Sequence, residues 1–590
     1  MRRSIPWTRA KGEARNMINF NLQVRNFPFN DHSQAAIEAW KNGQNTYGTN
    51  WPVVYFIHDD DSREAYVGET LHAGKRADEH WRNTPARRQL KVIHIVTDDT
   101  FNKSVILDLE SFLIKYIAAD GKYKLQNGNG GLADYNYYKC DEYRNEFGKV
   151  WDKLKELNLV RSNIADIQNS DLFKYSPYKT LTDDQQQVMN QVLFYISGYL
   201  KLHVDQTIIV EGGAGTGKTI LAVFLFKLLT DLSNNTFERN DVNEETDVDT
   251  IQALIRPENP LKIGFVVPQQ SLRETLKNVF ASIQGLSADM VLNPADVVKA
   301  ANDKPFDLLI CDEAHRLRRR WAMNGFALHR FDENNDALGI SRECTELDWI
   351  IKCSHMQLLF YDSDQTVKPT DIPTDYFSNT INQRSKIVLH LTSQLRCLGG
   401  NNYIDYIKAI LNDQHPDPIL HFDQYDLRFF DDVDQMVDNI NSRNSEVGLS
   451  CTVAGYAWKW KTKGQANPVE RDINIGRGYI WNRKEIDWIN SKPLPYEVGC
   501  IHTAQGYDLN YVGVIFGPEI TYDKTNQRID VIRENYKDDK GKCVSGDHEA
   551  LREFIINIYA TLMTRGIRGT YIYVCDPDLR EYLRPFFVNQ

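Results

Sequence analysis

Apolar residues along this chain recur with two different periods, and the change between them divides it into regions. VVYFIHD (Val53–Asp59), AYVGE and KVIHIVTD are apolar runs of strand length, and the segment from Ser104 to Ala119 carries apolar residues at helical spacing. With the basic helical stretch KRADEHW between them, they predict a compact α/β unit over residues 50–140. EYRNEFGKVWDKLKELN then reads as a charged amphipathic helix. It opens a connector over 141–180 that ends in the polar stretch LFKYSPYKTLTDD. From 181 to 590 short apolar strands alternate with helical stretches: QTIIVEG, KIGFVVP, FDLLICDE, MQLLFYD, KIVLHL, YVGVIFG and TYIYVCD. That rhythm predicts parallel sheets with helices on both faces. Residues 231–260 are acidic, polar and weakly periodic, and read as a surface insertion.

The length of 590 residues suits three or four domains. The pattern places an N-terminal extension at 1–49, the small α/β unit at 50–140, the connector at 141–180 and two larger lobes at 181–390 and 391–590. A formal net charge of -11 argues against a protein that coats nucleic acid with its whole surface, though a local basic stripe is enough for binding. The nine cysteines include no C-x-x-C pair, which predicts reduced thiols and no structural zinc. No apolar run has the length of a membrane span, and no apolar stretch follows the basic N-terminus as in a signal peptide. The expectation is a cytoplasmic protein with no membrane partner.

GGAGTGKT (Gly212–Thr219) lies between the strand QTIIVEG and the helical run ILAVFLFKLL, which is the context a phosphate-binding loop needs. Gly212, Gly215 and Gly217 let backbone N–H groups curl around phosphates, Lys218 adds a positive charge, and Thr219 offers a hydroxyl to Mg²⁺. FDLLICDEAH supplies the matching acidic end of a strand. Asp312 would hold Mg²⁺, directly or through water, and Glu313 would orient the attacking water on ATP.

With these motifs in order, residues 180–575 resemble a superfamily 1 helicase, and within that group the bacterial helicase-like family related to the Schlafen helicase domain. The resemblance implies two RecA-like lobes that close on ATP and move along nucleic acid. It implies that Gln185 in LTDDQQQ reads adenine and that VVPQQSLRETL touches the strand. Asp362 and Gln365 in LLFYDSDQTVKP would link the γ-phosphate to that strand. Arg396 in LTSQLRC and Arg565 in YATLMTRGIRG are the implied arginine fingers, with Arg568 near enough to stand in for Arg565. Gln505 and Gly506 in IHTAQGYDLNYVGVI complete the implied nucleotide site.

Two further segments have open readings. RLRRR (Arg316–Arg320) is a phosphate-contact cluster or a salt-bridged helix face. GYAWKWKTKG (Gly455–Gly464) is a base-stacking platform or, by preference, a strand with Trp458 and Trp460 inward and its lysines outward.

The first unit resembles the GIY-YIG nucleases. VVY (Val53–Tyr55) stands where GIY belongs, with valine in place of the first glycine, and YVG (Tyr66–Gly68) where YIG belongs. Arg76 and His80 follow on one helix face, Glu110 lies on the next helix, and Asn127 in LQNGNGG takes the family's asparagine position. The resemblance implies one Mg²⁺ or Mn²⁺ on Glu110, Tyr55 deprotonating water, Arg76 neutralising the phosphate, and His80 and Tyr66 orienting them. Lys75, Arg76, Arg82, Arg87, Arg88 and Lys91 would grip the backbone.

The combined expectation is an α/β protein in which an ATP-driven nucleic-acid motor is coupled to a metal-dependent nuclease. DNA is the first partner expected and RNA the second, and the pairing suits defence against phage or DNA repair. The other reading is an ATP-gated nucleic-acid sensor or remodeller, with the N-terminal domain as grip or gated effector.

Overall fold

The computed structural model describes residues 18–41, 46–128, 136–237, 248–255, 260–321, 323–362, 365, 370–394, 397–463, 465, 468–483, 488–489, 494–504, 509–538, 541–542 and 547–587. These form two compact units. One holds the described residues through Phe173 together with Tyr178–Thr180; the other holds Lys174–Pro177, Leu181–Phe237 and the described residues from Val248 onward.

In the first unit, strands β1 (Gln23–Pro28), β2 (Val53–Asp59), β3 (Glu64–Thr70), β4 (Val92–Thr97) and β5 (Lys124–Leu125) form a mixed sheet in the order β1-β4-β2-β3-β5. β2 pairs antiparallel with both β3 and β4, and β5 joins β3 in parallel. Both faces of β2 are buried, so it reads as an unbroken apolar run. Val54, Phe56, Ala65, Val67 and Val96 pack under helix α2 (Lys103–Asp120), while Val53, Tyr55, Ile57, Tyr66 and Ile93 pack toward helix α1 (Ala73–Asn83).

Two expected boundaries change. β1 pairs with β4 over its whole length, and Phe20, Phe27, Phe29 and Trp40 are buried in the unit, so residues from 18 on belong to it. The helix expected to open a connector, α3 (Cys140–Glu156), is part of the same core. Its apolar stripe of Tyr143, Phe147, Val150, Trp151 and Leu154 has nowhere to go but against α2.

The α2 side of the sheet also holds two stacked imidazoles, His58 and His94, with ring centroids 5.2 Å apart. Asp59, Asp60, Lys122 and Tyr123 are the charged and titratable groups around them. Burial, then the neighbouring His58, pushes His94 down to about 4; burial also lowers His58, with Asp60 opposing. Both rings are neutral in the fold, and their folded pKa values lie below the unfolded value near 6.5. The stability they permit is therefore complete above that value and is lost as pH falls toward about 4. Urea titrations across this window should show the unfolding midpoint of this unit falling, with a smaller fall in His94→Phe.

In the second unit, β6 (Gln206–Gly212), β7 (Ile263–Val266), β8 (Val291–Leu292), β9 (Phe306–Cys311), β10 (Ser354–Tyr361) and β11 (Lys386–Leu391) form an all-parallel sheet, ordered β11-β6-β10-β9-β7-β8. Helix α4 (Asp183–Leu202) precedes β6, and helix α5 (Lys218–Ser233) follows it. A second all-parallel sheet is built from β12 (Asp426–Phe430), β13 (Ser450–Ala454), β14 (Ile480–Trp481), β15 (Glu497–Cys500), β16 (Leu509–Phe516) and a last strand. A small hairpin, β17 (Ile520–Asp523) with β18 (Arg528–Val531), precedes that strand, β19 (Gly566–Val574). The order is β12-β19-β16-β13-β15-β14. Two all-parallel sheets thus meet the expectation drawn from the strand–helix rhythm of the sequence. Of the expected insertion, residues 238–247 and 256–259 lie outside the described residues, while Val248–Leu254 is a short helix with Val248 and Ile251 buried.

The arginine run is neither a helix face nor an open phosphate cluster. It leaves a single tight turn (Ala314–Arg316) and pairs outward with acids: Arg316 with Asp371 at 2.8 Å, Arg318 with Glu346 through two bonds of 2.9 and 2.6 Å, and Arg320 with Asp332 at 2.7 Å. Glu346 is 0% exposed. Arg318→Ala should therefore cost about 3 kcal/mol of stability, because it leaves a buried carboxylate without its cation, while nucleic-acid affinity stays unchanged. Chemical denaturation and a binding titration check the two halves of that statement.

The tryptophan segment is a loop, not a strand. Trp458 lies against Trp481 with centroids 6.0 Å apart, and Asp472 holds the loop by accepting from the N–H groups of Lys461 and Thr462. The inward packing expected for these rings is met; the strand is not. Among the described residues no helix is long and apolar enough to cross a membrane.

Candidate nucleotide and phosphodiester sites

β6 ends directly in the phosphate loop, and the loop runs into α5. Gly215 (φ +86°) and Gly217 (φ +78°) take left-handed conformations that bend the backbone back on itself. Lys218 turns its ammonium onto the carbonyls of Gly212 (2.5 Å) and Gly213 (2.9 Å) and onto Asp362 (3.1 Å). Thr219 donates its hydroxyl to Asp312 Oδ2 at 2.7 Å. These atoms come from β6, β9 and β10, three neighbouring strands whose C-terminal ends lie side by side.

Asp312 is fully buried, and its Oδ1 has no hydrogen-bond partner. Burial, then the Glu313 charge, holds its carboxyl above the ordinary range. An orphaned carboxylate oxygen beside a threonine hydroxyl is a hard-oxygen donor pair, and it fits Mg²⁺. Glu313 has φ +53°, a left-handed conformation that a non-glycine residue adopts at a cost of roughly 1–3 kcal/mol. Burial opposes its charge, but His315 (Nε2 to Oε2, 3.1 Å) and Lys218 outweigh burial and hold it below the usual carboxylate range. His315, the last residue of DEAH and given no role by the sequence, thus stands against Glu313 and favours its charge together with Lys218.

Asp362 continues the chain. It accepts from Gln365 Nε2 at 2.5 Å, and Gln365 Oε1 accepts from Arg565 Nη2 at 2.9 Å. Arg565 stands just before β19 in the second sheet and is 1% exposed; Arg568 is exposed. Of the two arginines left open by the sequence, the structure brings only Arg565 to the phosphate-loop network. Gln394 Nε2 donates to the Ala214 carbonyl at 2.8 Å, a second contact on the loop. Its place two residues before Arg396 in the same motif was the signal for it. Arg396, Gln505 and Gly506 lie outside the described residues.

Gln185 is buried at the start of α4. It forms a reciprocal cap with Thr182, and its amide reaches the Thr216 and Gly217 carbonyls at 3.4 and 3.3 Å. In this arrangement it ties α4 to the phosphate loop.

In the first unit, the antiparallel pairing of β2 with β3 sets Tyr55 opposite Gly68 and Tyr66 opposite Ile57. The two rings lie 6.2 Å apart, and His80 of α1 is 5.7 Å from Tyr55 and 5.0 Å from Tyr66. Tyr55 Oη is 2.7 Å from His80 Nε2. A Cβ on Gly68 would sit 2.2 Å from that oxygen, so only glycine leaves room for the hydroxyl. Arg76 lies close enough to Tyr55 for its charge to favour the ionised phenol. Burial, then Tyr66, holds the Tyr55 hydroxyl well above its ordinary value, with Arg76 opposing.

Glu110, on α2, lies close enough to Tyr55 and Arg76 for their charges to interact. Burial, then the Glu69 charge, pushes its carboxyl up to about 8, and Lys103, paired with Glu69, opposes the shift. Two facing carboxylates with substrate oxygens to complete the shell fit a divalent ion such as Mg²⁺, which is often held through one or two carboxylates. Glu69 was not among the residues picked from the sequence. Asn127 closes a two-way bond with the Val67 backbone (3.0 and 2.8 Å), so it shapes β3. Arg87, expected on the phosphate-gripping surface, is buried at 3% exposure against His80 and Tyr66.

Comparison with known proteins gives a match of residues 205–576 to the family model for the Schlafen group 3, DNA/RNA helicase domain. The uncharacterized protein YPL245W of Saccharomyces cerevisiae is 26% identical over 447 residues, covering 69% of this chain and 91% of its own. Among solved structures, a DNA replication initiation factor matches 40% of the chain at 13% identity (TM-score 0.18), and PCH-2 of C. elegans matches 44% at 11% identity (TM-score 0.16). The chain spans about half the length of each of these two, and likeness that distant carries no functional weight.

Proposed function

Because the chain belongs to the Schlafen group 3 DNA/RNA helicase family, we propose that its second unit is an ATP-driven nucleic-acid motor and its first a metal-dependent nuclease coupled to it. One observation carries the motor reading: the unbroken path Lys218–Asp362–Gln365–Arg565, which runs from the phosphate loop to the second sheet. A γ-phosphate arriving at Lys218 competes for the ammonium now held by Asp362, and Arg565 lies beyond Gln365 on the same path. Nucleotide state and lobe position are thereby linked. Thr219 and Asp312 would hold Mg²⁺, which neutralises charge on the phosphate oxygens. Glu313, its charge favoured by His315 and Lys218, orients the attacking water.

The nuclease reading is supported by the closeness of Tyr66, Arg76, His80 and Glu110 to Tyr55. Glu110 would hold Mg²⁺ or Mn²⁺, which polarises the scissile phosphate. Arg76 meets the charge on that phosphate, and Tyr55 receives the proton of the attacking water as its own phenol hydrogen passes to an oxygen of the scissile phosphate. A role in defence against foreign DNA or in repair rests on the domain pairing alone. The test is cleavage of single-stranded, duplex and forked DNA and of RNA with Mg²⁺, with and without ATP. Cutting that responds to ATP supports the coupled enzyme. No cutting beside active ATP turnover favours a sensor or remodeller with the first unit as a grip.

A further inference from the structure

We propose that Arg87 is a positioning residue: it fixes the direction of the hydrogen bonds around Tyr55, so that His80 donates to Tyr55 and does not take its proton. The catalytic consequence rests on the nuclease reading above.

Arg87 lies in the tight turn Pro85–Gln89 that follows α1. Its guanidinium stands 3.6 Å over the Tyr66 ring and donates through Nη1 to His80 Nδ1. A guanidinium has N–H donors and no acceptor, so His80 Nδ1 must be the acceptor and carries no hydrogen. The imidazole is neutral here, because burial and then the Arg87 and Arg76 charges push it down to about 2. A neutral ring without hydrogen on Nδ1 has it on Nε2. Nε2 is the atom 2.7 Å from Tyr55 Oη, so that contact runs from His80 to the phenol oxygen. The opposite tautomer would set an N–H against the N–H of Arg87.

Tyr55 therefore accepts from His80, beside the Arg76 charge, and its own hydrogen points elsewhere. His80 in this tautomer offers no lone pair to Tyr55 and cannot act as its base. Negative charge that develops on the phenol oxygen, as its hydrogen passes to an oxygen of the bound phosphate, meets the His80 N–H and the Arg76 charge already in place. Arg87 does this from a position that reaches no phosphate, which separates it from the exposed basic residues of the same segment.

The ring nitrogens of ¹⁵N-histidine-labelled full-length protein report the tautomer directly, with His80 identified by the signals lost in His80→Gln. The expected result is hydrogen on Nε2 in the wild type and a shift toward a mixture in Arg87→Leu. Hydrogen on Nδ1 in the wild type, or a tautomer indifferent to Arg87→Leu, overturns the proposal. His80→Gln gives an independent readout, because its amide oxygen can accept from Arg87 while its amide N–H donates to Tyr55. Cleavage should fall less in that variant than in His80→Leu, which can make neither bond, whereas an equal loss in both means that His80 takes the proton. The tautomer is read without any cleavage. A protein with the expected tautomer that cuts nothing thus upholds the role of Arg87 while sinking the nuclease reading.

Discussion

Lys218→Ala should lower ATP turnover by about 10²–10³-fold or more. The ammonium is buried and held by two loop carbonyls and Asp362, in the position a phosphate would claim. Its loss removes the positive charge held at the loop by Gly212, Gly213 and Asp362. The same change withdraws the cation from Asp362, which keeps its bond to Gln365, so a stability loss of about 3 kcal/mol accompanies it. A thermal melt therefore belongs beside the turnover assay. Lys218→Arg keeps the charge and most of the stability but does not fit the two carbonyls, and it should remain slow. Full turnover in a folded Lys218→Ala protein would remove the phosphate loop from the account.

Glu110→Gln should lower nuclease cleavage by about 10³-fold, roughly 4 kcal/mol of barrier, and leave ATP turnover at its wild-type rate. The two sites lie in different compact units, so the readouts are separable. The fold should tolerate the change well. A carboxyl pushed up to about 8 is largely uncharged at neutral pH without a metal, and the amide replaces it with a neutral group of the same shape. The lost function is then the capacity to hold a divalent ion, which can be followed separately by Mn²⁺ titration. Undiminished cutting in Glu110→Gln would mean the metal is held elsewhere.

What the sequence made legible follows from how local each signal is. The phosphate loop needs one strand, one turn and one helix in succession, and all three are contiguous between Gln206 and Ser233. Tyr55 and Tyr66 sit on a hairpin, so their distance along the chain already implies their nearness in space. The arginine run failed for the opposite reason. Its partners Asp371, Glu346 and Asp332 lie 55, 28 and 12 residues away, and only the tertiary fold sets them opposite Arg316, Arg318 and Arg320. Arg87 was misplaced likewise: a basic residue among basic residues reads as surface, and nothing local says that its turn folds inward onto Tyr66. The helix Cys140–Glu156 carried a clear apolar stripe, but periodicity does not say which core the stripe will meet. The Trp458 and Trp460 alternation matched a strand, and the loop arises because Asp472 satisfies its backbone in place of a neighbouring strand.

The central claim is that ATP hydrolysis in the second unit is driven by nucleic acid. Its most direct test is steady-state ATP turnover by the full chain with Mg²⁺, measured alone and then with single-stranded DNA or RNA added. Turnover should rise severalfold or more on addition and vanish in Lys218→Ala. Turnover that is absent, or that ignores both nucleic acids, would contradict a nucleic-acid motor built on this site.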